Sequence, residues 1–122
     1  MSDVRALEVG HACLRKLCAK SLIVKSIFIN GLLSAMLGVE GRPYGEVGRP
    51  WCIQAEGITF SDIGFRYAAE LKAMNKMFPK LENYIEAKDH AMIERAKILG
   101  FKISQGRVPF GDGIFRKAVR QV

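Results

Sequence analysis

An α+β fold built on a mostly antiparallel sheet is what this sequence predicts, and three stretches carry the prediction. Ser21–Ile29 and Leu32–Val39 are β-rich runs separated only by Asn30-Gly31, the dipeptide that best tolerates the two positive-φ positions of a type I′ hairpin turn. Further on, Ile63, Tyr67, Leu71, Met74 and Phe78 recur at helical spacing. From Leu81 to Phe101 the period changes within one stretch. Tyr84 and Ile85 are β-formers among polar residues, whereas Met92, Ile93, Ala96 and Leu99 line one helical face. Gly100 stops that helix, as glycine does where a left-handed backbone is wanted, and Phe101 returns to the interior.

The remaining elements follow in chain order. Residues 3 to 20 read as a helix with Val4, Leu7, His11, Leu14 and Cys18 on its apolar stripe and Ser2 or Asp3 as cap. No acid or nucleophile is spaced to make His11 a base, so it reads as a packed residue. Glu40 to Pro50, rich in glycine and proline, reads as a loop. Trp51 to Ala55 is a short buried strand, Gly57 marks a turn, and Ser61 is placed to cap a helix from Asp62 to Phe78 that Pro79 ends. Lys102–Ser104 and Phe110–Val119 read as closing strands joined by a loop with Gly106 and Pro109. No repeat or linker divides residues 1–122, which are expected to form one domain with one core.

Composition narrows the classes. Apolar residues make up 49% and charged residues 25% of the 122, an ordinary globular balance. The longest apolar stretch, Leu22 to Leu37, is broken by Lys25, Asn30, Gly31 and Ser34, so no membrane span is expected. Asp3, Arg5 and Glu8 stand where a signal peptide would be apolar, which points to an intracellular protein. Cys13, Cys18 and Cys52 match no zinc spacing and read as free thiols, with no metal site expected. The net charge of +7 suits nucleic acid, an acidic protein or a coenzyme's phosphates as partner. Arg66, Lys72, Lys76 and Lys80 fall within an arc of roughly 120° at helical spacing, a candidate basic interaction face.

Several short motifs, taken in order, resemble one known family. They are Gly48-Arg49-Pro50-Trp51, Leu81-Glu82-Asn83-Tyr84, Ile98-Leu99-Gly100-Phe101, and Pro109-Phe110-Gly111 ahead of Phe115. Together they resemble the GCN5-related N-acetyltransferase fold, and within it the small acetyltransferase-like proteins of short-tailed bacteriophages, described as head-assembly or internal virion proteins. The resemblance implies a mostly antiparallel central sheet flanked by helices, with the fold's first strand missing here. A missing strand would leave a sheet edge for a second copy or another protein to cover. It also implies a location in the virion or host cytoplasm, and virion or host proteins as partners.

Such a fold binds acetyl-CoA by holding its diphosphate on backbone amides at a glycine-rich turn and helix N-terminus. Arg42-Pro43-Tyr44-Gly45-Glu46-Val47 comes near the family's phosphate-loop pattern, Arg/Gln-x-x-Gly-x-Gly/Ala, but ends in valine and precedes the Trp51 strand. The corresponding turn, with the amides of Gly57, Ile58, Thr59, Phe60 and Ser61, carries one glycine; Ile58 and Phe60 are expected to crowd the phosphates and Glu56 to repel them. The family's proton-donating tyrosine falls on Ala96, its helix-opening asparagine on Asp89, and a usually small residue on Met92. Tyr84 is the substitute candidate for the acid.

The expectation is therefore a protein acting by binding, as a minor virion component with degenerate catalytic machinery and no cofactor. The alternative is an active N-acetyltransferase using acetyl-CoA. A nucleic-acid binder or a host inhibitor is a further alternative.

Overall fold

The structure, a computed structural model, describes residues 15, 16 and 18–121. Its elements run β1 (Ser21–Ile29), β2 (Leu32–Glu40), β3 (Val47–Gln54), α1 (Phe60–Met77), β4 (Lys80–Glu86), α2 (His90–Ile98), β5 (Lys102–Ile103), β6 (Val108–Phe110) and β7 (Gly113–Gln121). The strands form one sheet in the order β1-β2-β3-β4-β7-β5, with β6 paired to β7. Among the described residues every pairing is antiparallel except that of β3 with β4. This is the α+β, mostly antiparallel architecture that the sequence predicts. Of the expected first helix, residues 15, 16 and 18–20 are helical, and the rest, with His11 and Cys13, lies outside the described residues.

Local chemistry explains most boundaries. Asn30 (φ 51°) and Gly31 (φ 79°) both take the left-handed conformation that the β1–β2 turn requires. At the far end of the α2 unit Gly100 (φ 94°) does the same, and Phe101 is buried.

Three expectations are corrected. The first concerns β3, which begins at Val47, inside the stretch read as loop. Ala55 N–H donates to the Ser34 carbonyl at 2.8 Å, and the β2–β3 register pairs Ile53 with Met36 and Trp51 with Gly38. Ladder alternation then points the backbone groups of Pro50, Cys52 and Gln54 away from β2. Pro50 sits in a strand without costing a ladder bond, because its nitrogen faces the other side.

The second concerns α1, whose N-cap is Thr59 and not Ser61. The Asp62 carboxylate accepts from the Thr59 N–H at 2.8 Å and from the Thr59 hydroxyl at 3.0 Å. An acidic residue three places after a threonine is a helix-start signature. The third concerns Phe110–Val119, which is not one strand. It turns at Gly111 (φ 58°), making a tight β6–β7 hairpin.

A single core joins both helices to the sheet. Ile63, Leu71, Met74 and Phe78 of the α1 region and Ile93, Ala96 and Leu99 of the α2 region pack with Leu37, Val39, Leu81, Ile85 and Ala118. A polar knot closes one end. Asn75 Nδ2 donates to the carbonyls of Phe78 and Arg120, both at 3.1 Å. Arg120 returns a hydrogen bond to Asn75 Oδ1 and donates through Nε to the Leu99 carbonyl at 3.0 Å. The end of α1, the end of α2 and β7 are thereby tied together. Among the described residues β1 pairs only with β2, and no helix is long and apolar enough to cross a membrane.

Candidate active site

The one parallel pairing makes the site. β3 and β4 meet only at Val47 with Lys80 and Gly48 with Leu81, and beyond that point no strand pairing joins them. Between them opens a slot of about 420 Å³. Asn83 Nδ2 spans it near the closed end, donating to the Pro50 carbonyl at 2.9 Å. On the β3 side the backbone groups of Cys52 and Gln54 face this slot. Register sets the β4 side as well. Ala87 N–H donates to the Ile114 carbonyl, so Ile85 and Asn83 exchange bonds with β7 while Tyr84 faces β3. The slot thus has two rows of backbone donors and acceptors with no strand between them.

Side chains of opposite parity line it. Asn83 and Ile85 belong to the helix-covered face, whereas Trp51, Tyr84 and Glu86 alternate to the other. The opening therefore communicates with both faces of the sheet. Tyr67 from α1 and Arg95 and Ala96 from α2 complete the helix side.

At the open end lies the turn from β3 into α1. Gln54 Nε2 donates across it to the Ile58 carbonyl at 2.8 Å. Gly57 takes a positive φ of 83° in this turn, and a Cβ there would meet nothing within 4 Å. Ile58 N–H is taken by the Ala55 carbonyl and Thr59 N–H by Asp62, whereas the amides of Gly57, Phe60 and Ser61 have no hydrogen-bond partner among the described residues. Free amides at a helix start are an anion seat.

Ile58 and Phe60, expected to crowd the phosphates, are partly buried against the core, with Phe60 also lining the slot, and Glu56 is exposed. Arg95 lies over the Phe60 ring, 5.6 Å from its centre, and brings a guanidinium beside the turn. Asp62 opposes it. The hydrogen bonds from the Thr59 backbone and then its side chain hold the Asp62 carboxyl below the usual range, so a negative charge shares the seat.

Sequence reasoning missed the pattern here. Gln54-Ala55-Glu56-Gly57-Ile58-Thr59 fits Arg/Gln-x-x-Gly-x-Gly/Ala at every defined position but the last. Reading three places upstream of Gly57 would have found it.

The other candidates are dispersed. Tyr84 is 47% exposed, on the outer face with the Glu82–Lys117 ion pair of 3.1 Å; the hydrogen bond that Lys117 donates to Glu82, and the Glu82 charge, raise the Lys117 pKa. Ala96 is buried in the slot wall, where it can donate nothing. Asp89 caps α2 by accepting from the Met92 N–H at 3.1 Å. Burial pushes the Cys52 thiol up to about 11. The Tyr67 phenol is raised too, by burial first and then by the neighbouring Cys52.

Of the four basic residues, three lie exposed on α1 and the fourth lies beyond its end. Arg66 Nη1 is engaged by the Phe28 carbonyl at 2.8 Å, Lys72 and Lys76 are exposed on α1, and Lys80 begins β4. Cys18 and Cys52 are free, and the described residues hold no cluster of metal-ligating side chains.

The overall fold has solved counterparts. A ribosomal-protein-alanine N-acetyltransferase from Brucella melitensis superposes with a TM-score of 0.68 at 19% identity, over 95% of this chain and 78% of its own. The fold is that of the GCN5-related N-acetyltransferases. An acetyltransferase of that fold from Elizabethkingia anophelis, solved with acetyl-CoA bound, matches at TM-score 0.66 and 11% identity over 91% of this chain and 82% of its own. RimL, a ribosomal α-N-protein acetyltransferase in complex with coenzyme A, matches at TM-score 0.70 and 10% identity over 100% and 74%. No family model and no curated protein matches the sequence.

Proposed function

We propose that this protein is an acetyl-CoA-dependent N-acetyltransferase. The observation that carries the reading is the splay of β3 from β4, which leaves a backbone-lined slot running from an anion seat to the far face of the sheet. The coenzyme, when bound, supplies an acetyl group as a reactive thioester. The free amides of Gly57, Phe60 and Ser61, with Arg95 alongside, are placed to hold its diphosphate. The Cys52 and Gln54 backbone groups offer the amides of the pantetheine arm the bonds that a strand would otherwise make. An amine then approaches from the outer face, where Glu86 lines the slot and is placed to accept its proton through water.

Both coenzyme-bound counterparts share this fold, which favours catalysis over a purely binding role. A virion or head-assembly role draws on the sequence resemblance alone, and the open slot adds nothing to it. The test is calorimetric titration with acetyl-CoA, followed by mass spectrometry of peptides and polyamines incubated with both. Saturable sub-millimolar binding and an acetylated product are expected. Absence of binding at millimolar coenzyme would overturn the reading.

A further inference from the structure

Tyr67 is a partly buried phenol on the wall of the slot. It sits on the core-facing row of α1 and lines the slot. Its hydroxyl has no hydrogen-bond partner among the described residues, and it is not sealed away from the slot either. A hydroxyl without a protein partner that opens on the slot is free to bond a ligand there. Tyr67 lies seven residues beyond Phe60, which at about 1.5 Å per residue is roughly 10 Å along α1 from the anion seat. That places it beside the inner part of the slot, where the reactive end of a coenzyme seated by its diphosphate would reach. Ala96, across the slot on α2, is too small to occupy that space or to donate a proton.

We infer that the Tyr67 hydroxyl donates a hydrogen bond to the coenzyme sulfur and stabilises it as a thiolate. The inference rests on the slot being an acetyl-CoA site. In the transfer itself, the amine nitrogen bonds the thioester carbonyl carbon and the carbon–sulfur bond breaks with its electron pair on sulfur. The amine's proton passes through water to Glu86, and Tyr67 keeps its own proton while bonding the departing sulfur. Staying protonated suits this role, since a buried phenol resists ionising. The titratable and charged groups that line the slot with Tyr67 are Cys52 on β3, Tyr84 and Glu86 on β4, and Asp89 and Arg95 on α2, with Tyr84 and Glu86 toward the outer face.

Binding measured against pH tests this without knowledge of the amine. Coenzyme A is expected to bind the wild-type protein more tightly as pH rises through the thiol range, and desulfo-coenzyme A, which lacks the sulfur, is not. Tyr67→Phe keeps the ring and loses the donor. It is expected to bind coenzyme A about tenfold more weakly at alkaline pH, the scale of one hydrogen bond to a charged group. Its affinity for desulfo-coenzyme A and its urea midpoint are expected to be unchanged. Titration of Cys52 would move both ligands together, so the difference between them isolates the sulfur. If wild type binds both ligands and Tyr67→Phe matches it at every pH, the role of Tyr67 is overturned while the site stands. If wild type binds neither, the site and the role fall together.

Discussion

The two edges of β3 are built from the same residues and end in opposite states. Toward β2 the strand is paired from Arg49 with Glu40 to Gln54 with Ala35. Toward β4 it is paired at Val47 and Gly48 and then released. What differs is how each neighbour arrives. β2 is joined to β3 by a short loop and runs antiparallel, so the ladder continues. β4 returns through an eighteen-residue helix and runs parallel, meeting β3 at one end only. One edge therefore holds the fold and the other stays open for a ligand. Binding sites in such sheets are made where pairing stops.

Substitutions at the two edges should separate these roles. Leu37→Ala, in the fully buried centre of the paired side, is expected to cost about 2–5 kcal/mol in urea unfolding. On the open side, Gly57→Val places a branched side chain at positive φ, which distorts the turn that presents the free amides. Acetyl-CoA affinity is expected to fall by at least about tenfold in calorimetry, while unfolding loses only about 1–2 kcal/mol. Asn83→Ala removes the bridge to the Pro50 carbonyl and is expected to cost about 1 kcal/mol, read as a shift of the denaturation midpoint. A loss as large as that of Leu37→Ala would mean that the slot is structural after all.

The smallest effect belongs to Asp62, whose folded pKa is lowered from 3.8 by its bonds to Thr59. A depressed carboxylate contributes stability above its unfolded pKa and loses it as pH falls through the folded value. Asp62→Asn should flatten the acid end of the stability profile below about pH 4. It should also tighten coenzyme binding slightly, since a like charge leaves the anion seat.

How far each edge was legible in the sequence follows from the same contrast. The β1–β2 hairpin, the stop at Gly100 and the apolar row of α1 depend on neighbours in the chain, and the residues announce them. The splay does not, since it is a failure of pairing between Pro50–Gln54 and Glu82–Glu86, which are distant in sequence. Pro50 reads as a breaker unless one knows that its nitrogen faces the open edge. Ile58 and Phe60 read as obstacles because the sequence does not say that they turn inward. The Gln54-x-x-Gly57 spacing is present in the sequence, but Thr59 stands where the pattern has glycine or alanine.

Amide chemical shifts followed during an acetyl-CoA titration test the division of labour most directly. The signals of Cys52 and Gln54 and of residues 57–61 are expected to move and saturate together, while those of β1 and the paired edge of β2 stay still. Movement confined to β1 and β2, or none anywhere at millimolar coenzyme, would contradict the assignment of the open edge as the binding site.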